Sequence, residues 1–292
     1  MHGGGGESTA EPIERGDGVP TEDRRLWSLT MRGLSELIGD LQQIGIPASD
    51  VHTLAQRFRE LDVYPARDFE SRCTPRPPDI FITYDWRLNF FDLQEAAYEG
   101  LLYIRDELSA HQPSIDAFNF EELLFDELTF WIDFVFINQS ARDVRAELDV
   151  MPDLIDSSKL HFALSHTALT RAWCCYELAL YNKRFLQPKP ETGPPPTPGL
   201  GSLLAPMPLE YQGWADAESS MAQDKVFLEE QLKDLYPGGT LGVDALMIQA
   251  SVVGEHIYTY GNSVQTGLAV EQALTVGDSW LRDKGWIPDD GP

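Results

Sequence analysis

Trp173 and Glu177 stand four residues apart in the segment Thr170-Arg-Ala-Trp-Cys-Cys-Tyr-Glu-Leu178, which follows a short apolar run. On an α-helix, residues four apart lie one above the other on the same face. The spacing sets a carboxylate beside a flat aromatic surface. An earlier segment, Asp79-Ile-Phe-Ile-Thr-Tyr-Asp-Trp-Arg87, adds an aromatic and charged cluster directly after a β-rich run. Together the two segments predict a pocket. Each residue also has a plainer reading. Taken alone, Trp173 reads first as a core side chain and Glu177 as a solvated or capping charge. Asp133 interrupts an apolar run and needs a partner if buried; it is either matched to a donor such as Arg171 or part of the pocket. Asp85 and Arg87 also fit an ordinary loop ion pair.

These residues gain force from the elements that must carry them. Ile80–Tyr84, Trp131–Ile137 and Leu160–Leu164 read as strands, with helices over 92–108, 142–157 and 170–186 between and after them. Strands apolar on both faces and alternating with helices predict a parallel sheet covered on both sides, an α/β fold. Such sheets bind ligands at the carboxyl ends of their strands. The residues found there are Asp85-Trp86-Arg87, Asn138-Gln139 and Ser165-His166, and Glu177 in the early turns of the last helix faces the same rim. Along the later helix, Cys174, Leu178, Tyr181 and Phe185 form a core stripe.

The flanks divide the chain further. Residues 1–23 lack periodicity and read as a disordered tail. Residues 24–77 read as a pair of amphipathic helices and a linker, the first helix carrying Leu26, Leu29, Leu34, Leu37, Ile38 and Leu41, the second Val51, Leu54, Phe58 and Leu61. The α/β domain spans 78–186, and a proline-rich loop follows over 187–208. Residues 209–292 read as mainly helical, with helices over 216–235 and near 241–250 and 263–283. This last part either completes the α/β domain or packs as an accessory unit.

Composition excludes several classes. A formal charge of −25 over 292 residues argues against nucleic acid or an anionic membrane as the main partner. No stretch approaches the ~20 apolar residues of a membrane span. The opening residues lack the basic and apolar regions of a secretory signal, and three cysteines make no disulfide framework. A cytoplasmic protein is expected. No metal site is expected either, because the strand register points His161 and His166 to opposite faces and Cys174 and Cys175 diverge on a helix. No phosphate-cradling glycine loop is present, and nothing singles out a cysteine as nucleophile.

At these residues the chain resembles the Toll/interleukin-1 receptor (TIR) domain superfamily. Asp79-Ile-Phe-Ile-Thr-Tyr84 is similar to its opening strand, D-[IV]-F-[IL]-S-[YF], with Thr83 in place of the usual serine. Ala172-Trp-Cys-Cys-Tyr-Glu-Leu178 resembles its W-C-x-x-E-L helix. Trp131-Ile-Asp-Phe-Val-Phe-Ile-Asn-Gln139 is similar to the W-I-D-x-x-C-I-N-Q segment of fungal heterokaryon-incompatibility domains, with Phe136 in place of the cysteine. The likeness covers residues 78–186.

The resemblance implies a flavodoxin-like sheet and an NAD+ glycohydrolase or cyclase that breaks the nicotinamide–ribose bond, with Glu177 as the essential carboxylate. Nicotinamide leaves as a neutral molecule, so the group needing help is the oxocarbenium-like ribose, which a nearby anion stabilises. Tyr84, Asp85, Trp86, Arg87, Asp133, Ser165 and Trp173 are the implied substrate-binding residues. NAD+ would be substrate, with no cofactor, and the setting would be immune or anti-phage NAD+ depletion triggered by self-association into a homo-oligomer. Two other readings stand beside this one: a non-catalytic adaptor recruiting protein partners through its N-terminal helices, and a related nucleotide N-glycosidase.

Overall fold

Five short strands form one sheet in the computed structural model, which describes residues 23–111 apart from 48, 125–186 apart from 142, 143 and 159, and then 203–204, 209–219, 222–235, 240, 243, 244 and 247. The strands are β1 (Leu29–Thr30), β2 (Ile80–Thr83), β3 (Thr129–Trp131), β4 (Leu160–Ala163) and β5 (Leu203–Leu204). Their spatial order is β1-β3-β2-β4-β5. The last four are mutually parallel, and β1 closes one edge antiparallel to β3. The longer helices are α1 (Met31–Gln43), α2 (Val51–Leu61), α3 (Phe90–His111), α4 (Met151–Ser157), α5 (Ala172–Leu186) and α6 (Ala222–Leu235). This is an α/β fold. Among the described residues, no helix is long and apolar enough to cross a membrane.

Register explains how both sheet faces become covered. Phe81 pairs with His161 and Thr83 with Ala163, so these side chains share one face, while Ile82 and Phe162 point to the other. On the first face, the His161 ring meets Tyr181 of α5 edge-on at 4.8 Å. On the second, Gly100 of α3 lies against Phe162, and a Cβ added there would sit 3.0 Å from its ring. Continuous apolar strands follow from this double coverage: β2 and β4 are buried at every position.

The flanking segments share the same core. α1 starts at Thr30, whose hydroxyl accepts from the Gly33 N–H at 3.1 Å. Its buried stripe is Leu34, Leu37, Ile38 and Leu41. α2 is capped by Asp50, which accepts from the Thr53 N–H at 3.0 Å, and ends on Asp62 in the left-handed region, φ 52°. Leu34, Phe58, Phe134, Leu228 and Leu232 belong to one hydrophobic cluster. The N-terminal pair and α6 are therefore built onto the sheet rather than tethered to it.

Several boundaries differ from the sequence expectation. Only Thr129–Trp131 pairs as strand; Asp133–Phe136 is a single helical turn that buries Phe134, Val135 and Phe136. A short apolar run fits a buried helical turn as well as a strand, and the Asp133 carboxylate favours the turn by accepting from the Phe134 N–H at 2.7 Å. Leu29 lies in β1 and Leu26 in a 3-10 turn (Arg24–Leu26) capped by Asp23, so neither is on α1. The acidic helix over 142–157 is three pieces, Val144–Glu147, Leu148–Val150 and α4. β5 falls within the expected proline-rich loop, and Trp214–Asp216 forms a 3-10 turn ahead of α6. The tail over 1–22, the helix near 263–283 and most of that near 241–250 lie outside the described residues, as does the side chain of Phe185.

Two glycines of α1 make opposite predictions. Alanine normally stabilises a helix interior by about 1 kcal/mol over glycine. A Cβ on Gly33 would sit 2.4 Å from the Arg72 carbonyl oxygen, a backbone atom that cannot swing away, whereas Gly39 has nothing within 4 Å. Gly33→Ala is expected to lower unfolding free energy by roughly 1–3 kcal/mol and Gly39→Ala to raise it by up to ~1 kcal/mol, read by urea denaturation.

Candidate active site

Glu177 reaches the sheet because of where α5 lies. Tyr181 packs edge-on against His161, and one helical turn earlier Glu177 lies over Thr83, nearer the carboxyl ends of β2 and β4. The Thr83 hydroxyl donates to Glu177 Oε2 at 2.6 Å. The same hydroxyl is 2.6 Å from Nε2 of His161, a fully buried residue of β4. Glu177 is only 9 % exposed, and this single hydrogen bond is all its carboxylate receives among the described residues. Burial pushes its carboxyl up to about 8, Thr83 partly opposing and the Asp133 charge adding to the rise.

Asp133 is the counterpart that shows what satisfaction looks like. Its carboxylate group is surrounded by protein, although the residue keeps some exposure. Oδ1 accepts from the Tyr84 hydroxyl and the Phe134 N–H, and Oδ2 accepts from Trp86 Nε1 at 2.7 Å. Burial raises its carboxyl, and these donors offset part of that rise. The Tyr84 hydroxyl, buried and held against this anion, is pushed well above its ordinary value. Asp133 thus fixes both aromatic residues that follow β2. Arg171, one donor considered for Asp133, pairs with Glu218 at 2.9 Å.

A pocket of ≈ 310 Å³ opens above this pair, lined by Tyr84, Trp86, Asp133, Trp173 and Glu177 among others. The predicted neighbourhood of Trp173 and Glu177 holds: both face this space, and Trp173 is partly buried, edge-on to Tyr176 at 6.1 Å between centroids. Three expected binding residues do not line it. Asp85, 1 % exposed, is consumed by Arg87 (side chain 2.7 Å, backbone 3.0 Å) and by the Thr167 hydroxyl at 2.7 Å. Burial pushes its carboxyl up, but these donors outweigh it and hold it below the ordinary value. Arg87 is that ion pair's other half and also lies 3.6 Å from Glu218. Ser165 is buried against Thr167, with 3.1 Å between hydroxyls. These residues brace the loops behind the pocket.

Elements remote in sequence complete the wall. The start of α2 docks on the loop after β2 through Val51 N–H to Leu88 O and His52 N–H to Trp86 O, both 3.3 Å. His52 meets Trp86 edge-on at 5.4 Å and lines the pocket with Arg59. Burial, then the charge of Arg171, holds His52 below its ordinary value. From the other side, Glu218 bridges to the start of α5, donating its N–H to Thr170 O at 2.7 Å and accepting from Ala172 N–H at 2.8 Å. His52, Arg59, Arg171 and Glu218 were missed as site residues, and only Arg171 carried a sequence signal, its place just before the motif. Of the two N-terminal helices, α2 forms a wall of the pocket through His52 and Arg59.

The arrangement favours a cationic or cation-forming group. Four acidic residues, Asp133, Glu177, Glu218 and Asp224, line a largely apolar space that includes Tyr84, Trp86 and Trp173, and Arg59 and Arg171 supply positive charge. Thiol chemistry is disfavoured: burial raises both Cys174 and Cys175, and the Cys174 thiol donates to the Tyr84 carbonyl at 3.3 Å. Among the described residues, no group of three or more His, Cys, Asp or Glu could hold a metal ion.

Glu177 makes stability depend on pH with a definite sign. Burial raises its carboxyl from an ordinary 4.5 to about 8 in the folded chain, so its own contribution to stability is fully present below the first value and is lost as pH rises through the second. Glu177→Gln lacks this contribution. The variant's melting temperature is expected to gain on wild type by roughly 5 °C or more between about pH 5 and about pH 9. A difference that stays flat with pH would contradict the burial of an unpaired carboxylate.

No family model matches the chain, and no curated protein or solved structure matches it, so the site stands on its own geometry.

Proposed function

We propose that the protein is an N-glycosidase acting on NAD+, of the TIR type, with Glu177 as its catalytic carboxylate. One observation carries this reading: a carboxylate enclosed in an aromatic pocket and given a single hydrogen-bond donor. Asp133, a second enclosed carboxylate of the pocket, has three donors and a structural task, in contrast to Glu177 with its single donor.

The chemistry follows from charge. In NAD+ the nicotinamide ring is cationic, and breaking its bond to C1′ returns the electron pair to the ring nitrogen. Neutral nicotinamide departs and positive charge passes to the ribosyl carbon. Glu177 as an anion stabilises that charge in a water-poor site, where electrostatic effects are strongest. Water then adds at C1′ and gives up a proton, for which the carboxylate is a suitable acceptor. Tyr84, Trp86 and Trp173 provide the apolar surface for the base, and Arg59 and Arg171 suit the pyrophosphate.

The strand order supports a flavodoxin-like sheet. From β2 the chain runs to β3 on one side and then to β4 on the other, so the switch point lies between β2 and β4. Ligands of doubly wound sheets sit outside the carboxyl ends of the strands at that crevice. Thr83 and Glu177 are there.

Pocket size favours a second reading alongside the first. At ≈ 310 Å³ the space lies at the low end of ligand pockets, which span about 300–1,000 Å³. It suits one base with its ribose, so a smaller nucleotide is an alternative substrate for the same carboxylate.

The test is base release by purified protein at high concentration, since the family resemblance implies activation by self-association. Wild type is expected to release nicotinamide from NAD+, and Glu177→Ala to lose at least ~100-fold in rate. With NAD+ limiting, the wild-type rate is expected to rise with pH through about 8, because the ionised carboxylate is the active form. Release of a base from another nucleotide alone would select the second reading, and equal NAD+ loss in wild type and variant would remove Glu177 from the chemistry.

A further inference from the structure

His161 is buried beneath the pocket and does not line it, yet it is one hydroxyl away from Glu177. Thr83 Oγ1 sits between them, 2.6 Å from Nε2 of His161 and 2.6 Å from Oε2 of Glu177. The sheet builds this row. Thr83 and Phe81 face α5 from β2, His161 faces it from the register position opposite Phe81, and Glu177 reaches down one turn from Tyr181, which packs on the His161 ring.

A hydroxyl has one proton to give. When Glu177 is ionised it can only accept, so Thr83 must donate to it, and the Thr83 oxygen is left to accept from Nε2–H of His161. We propose that His161 and Thr83 are positioning residues for Glu177: His161 Nε2–H orients the Thr83 hydroxyl so that its only proton is given to Oε2, which pins one carboxylate oxygen and presents the other to the ligand. This inference rests on Glu177 being the group the site offers to its ligand.

The row has a second direction. When Glu177 is protonated, its O–H donates to Thr83, Thr83 donates to Nε2, and His161 carries its proton on Nδ1. Going from this state to the ionised one, the Glu177 proton passes to Thr83, the Thr83 proton passes to Nε2, and the Nδ1 proton is lost. One proton leaves the set and His161 remains neutral. The His161 tautomer therefore reports the charge of Glu177. Thr83 also opposes the upward push of burial on Glu177, so the hydroxyl keeps more of the carboxylate in its ionised form.

Other titratable groups lining the pocket with Glu177 are Asp133 and Tyr84 from the turns after β3 and β2, Cys174 on its own helix, His52 and Arg59 on α2, and Arg171, Glu218 and Asp224. All are retained in a Thr83 variant, so a change in Glu177 behaviour there isolates the hydroxyl.

The test uses NMR on the full chain labelled with ¹⁵N-histidine and ¹³C-carboxyl glutamate, with no turnover required. In wild type, His161 is expected to be the Nδ1–H tautomer below the Glu177 midpoint and the Nε2–H tautomer above it; Glu177→Gln is expected to abolish that switch. Thr83→Val is expected to raise the Glu177 midpoint by roughly one pH unit, and Thr83→Ser to leave it near wild type. The pH profile of base release would move with these midpoints. An Nδ1–H tautomer on both sides of the midpoint, or an unmoved midpoint in folded Thr83→Val, would overturn the proposal. If Thr83→Val does not fold, the wild-type tautomer decides alone. Failure of the catalytic reading looks different: Glu177→Ala would lose NAD+ as fast as wild type, while the tautomer switch persisted in the wild-type protein.

Discussion

Placing a carboxylate in an apolar surrounding disfavours its charged form unless donors surround it. Asp133 and Glu177, two of the four acidic residues lining this site, are treated unequally. Asp133 gathers Tyr84, Trp86 and the Phe134 N–H, and in doing so ties the loop after β2 to the turn after β3. Glu177 receives one hydroxyl. Because Asp133 is satisfied, the aromatic wall it holds is fixed. Because Glu177 is not, its charge remains responsive to what enters the pocket. A cationic ligand beside it would favour ionisation, which couples binding to activation of the group.

The pocket is a joint product of the sheet and of segments that sequence places outside the α/β domain. α2 brings His52 against Trp86, and the stretch over 209–219 runs beside the β4–α5 loop, with Glu210 donating its N–H to His166 O at 2.7 Å and Glu218 joined to the start of α5. The polar network behind the pocket has a different task. Asp85 draws Arg87 and Thr167 into one cluster beneath the rim, which stiffens the two loops carrying Tyr84 and Arg171. A charge pair of this kind contributes little net stability but fixes geometry once buried.

Much of this was legible in the residues. The period of four that joins Trp173 to Glu177 needs only helical geometry, and the short runs Ile80–Tyr84 and Leu160–Leu164, followed by helical patterns, contain β2 and β4. The failures have physical causes. Trp131–Ile137 is apolar throughout, and periodicity cannot separate a buried strand from a buried helical turn. β1 is two residues long, too short to leave a pattern. Asp85, Arg87 and Ser165 follow strands β2 and β4, but strand ends do not reveal whether a polar side chain turns to the ligand or to its neighbour. Of the two readings left open for Asp133, it lines the pocket and takes its donors from Tyr84, Trp86 and the Phe134 N–H, while Arg171 pairs with Glu218, 47 residues later. His52 and Arg59 join the site only through tertiary docking of α2, for which one sequence carries no signal.

The most direct measurement of the central claim is the crystal structure of Glu177→Gln bound to NAD+, since this variant keeps the side chain's shape while removing its charge. The account predicts the nicotinamide riboside end in the pocket, its ribose hydroxyls beside residue 177 and its base against Trp173 and Trp86, with the phosphates toward Arg59 or Arg171. NAD+ bound elsewhere, or an empty pocket at saturating NAD+, would contradict it.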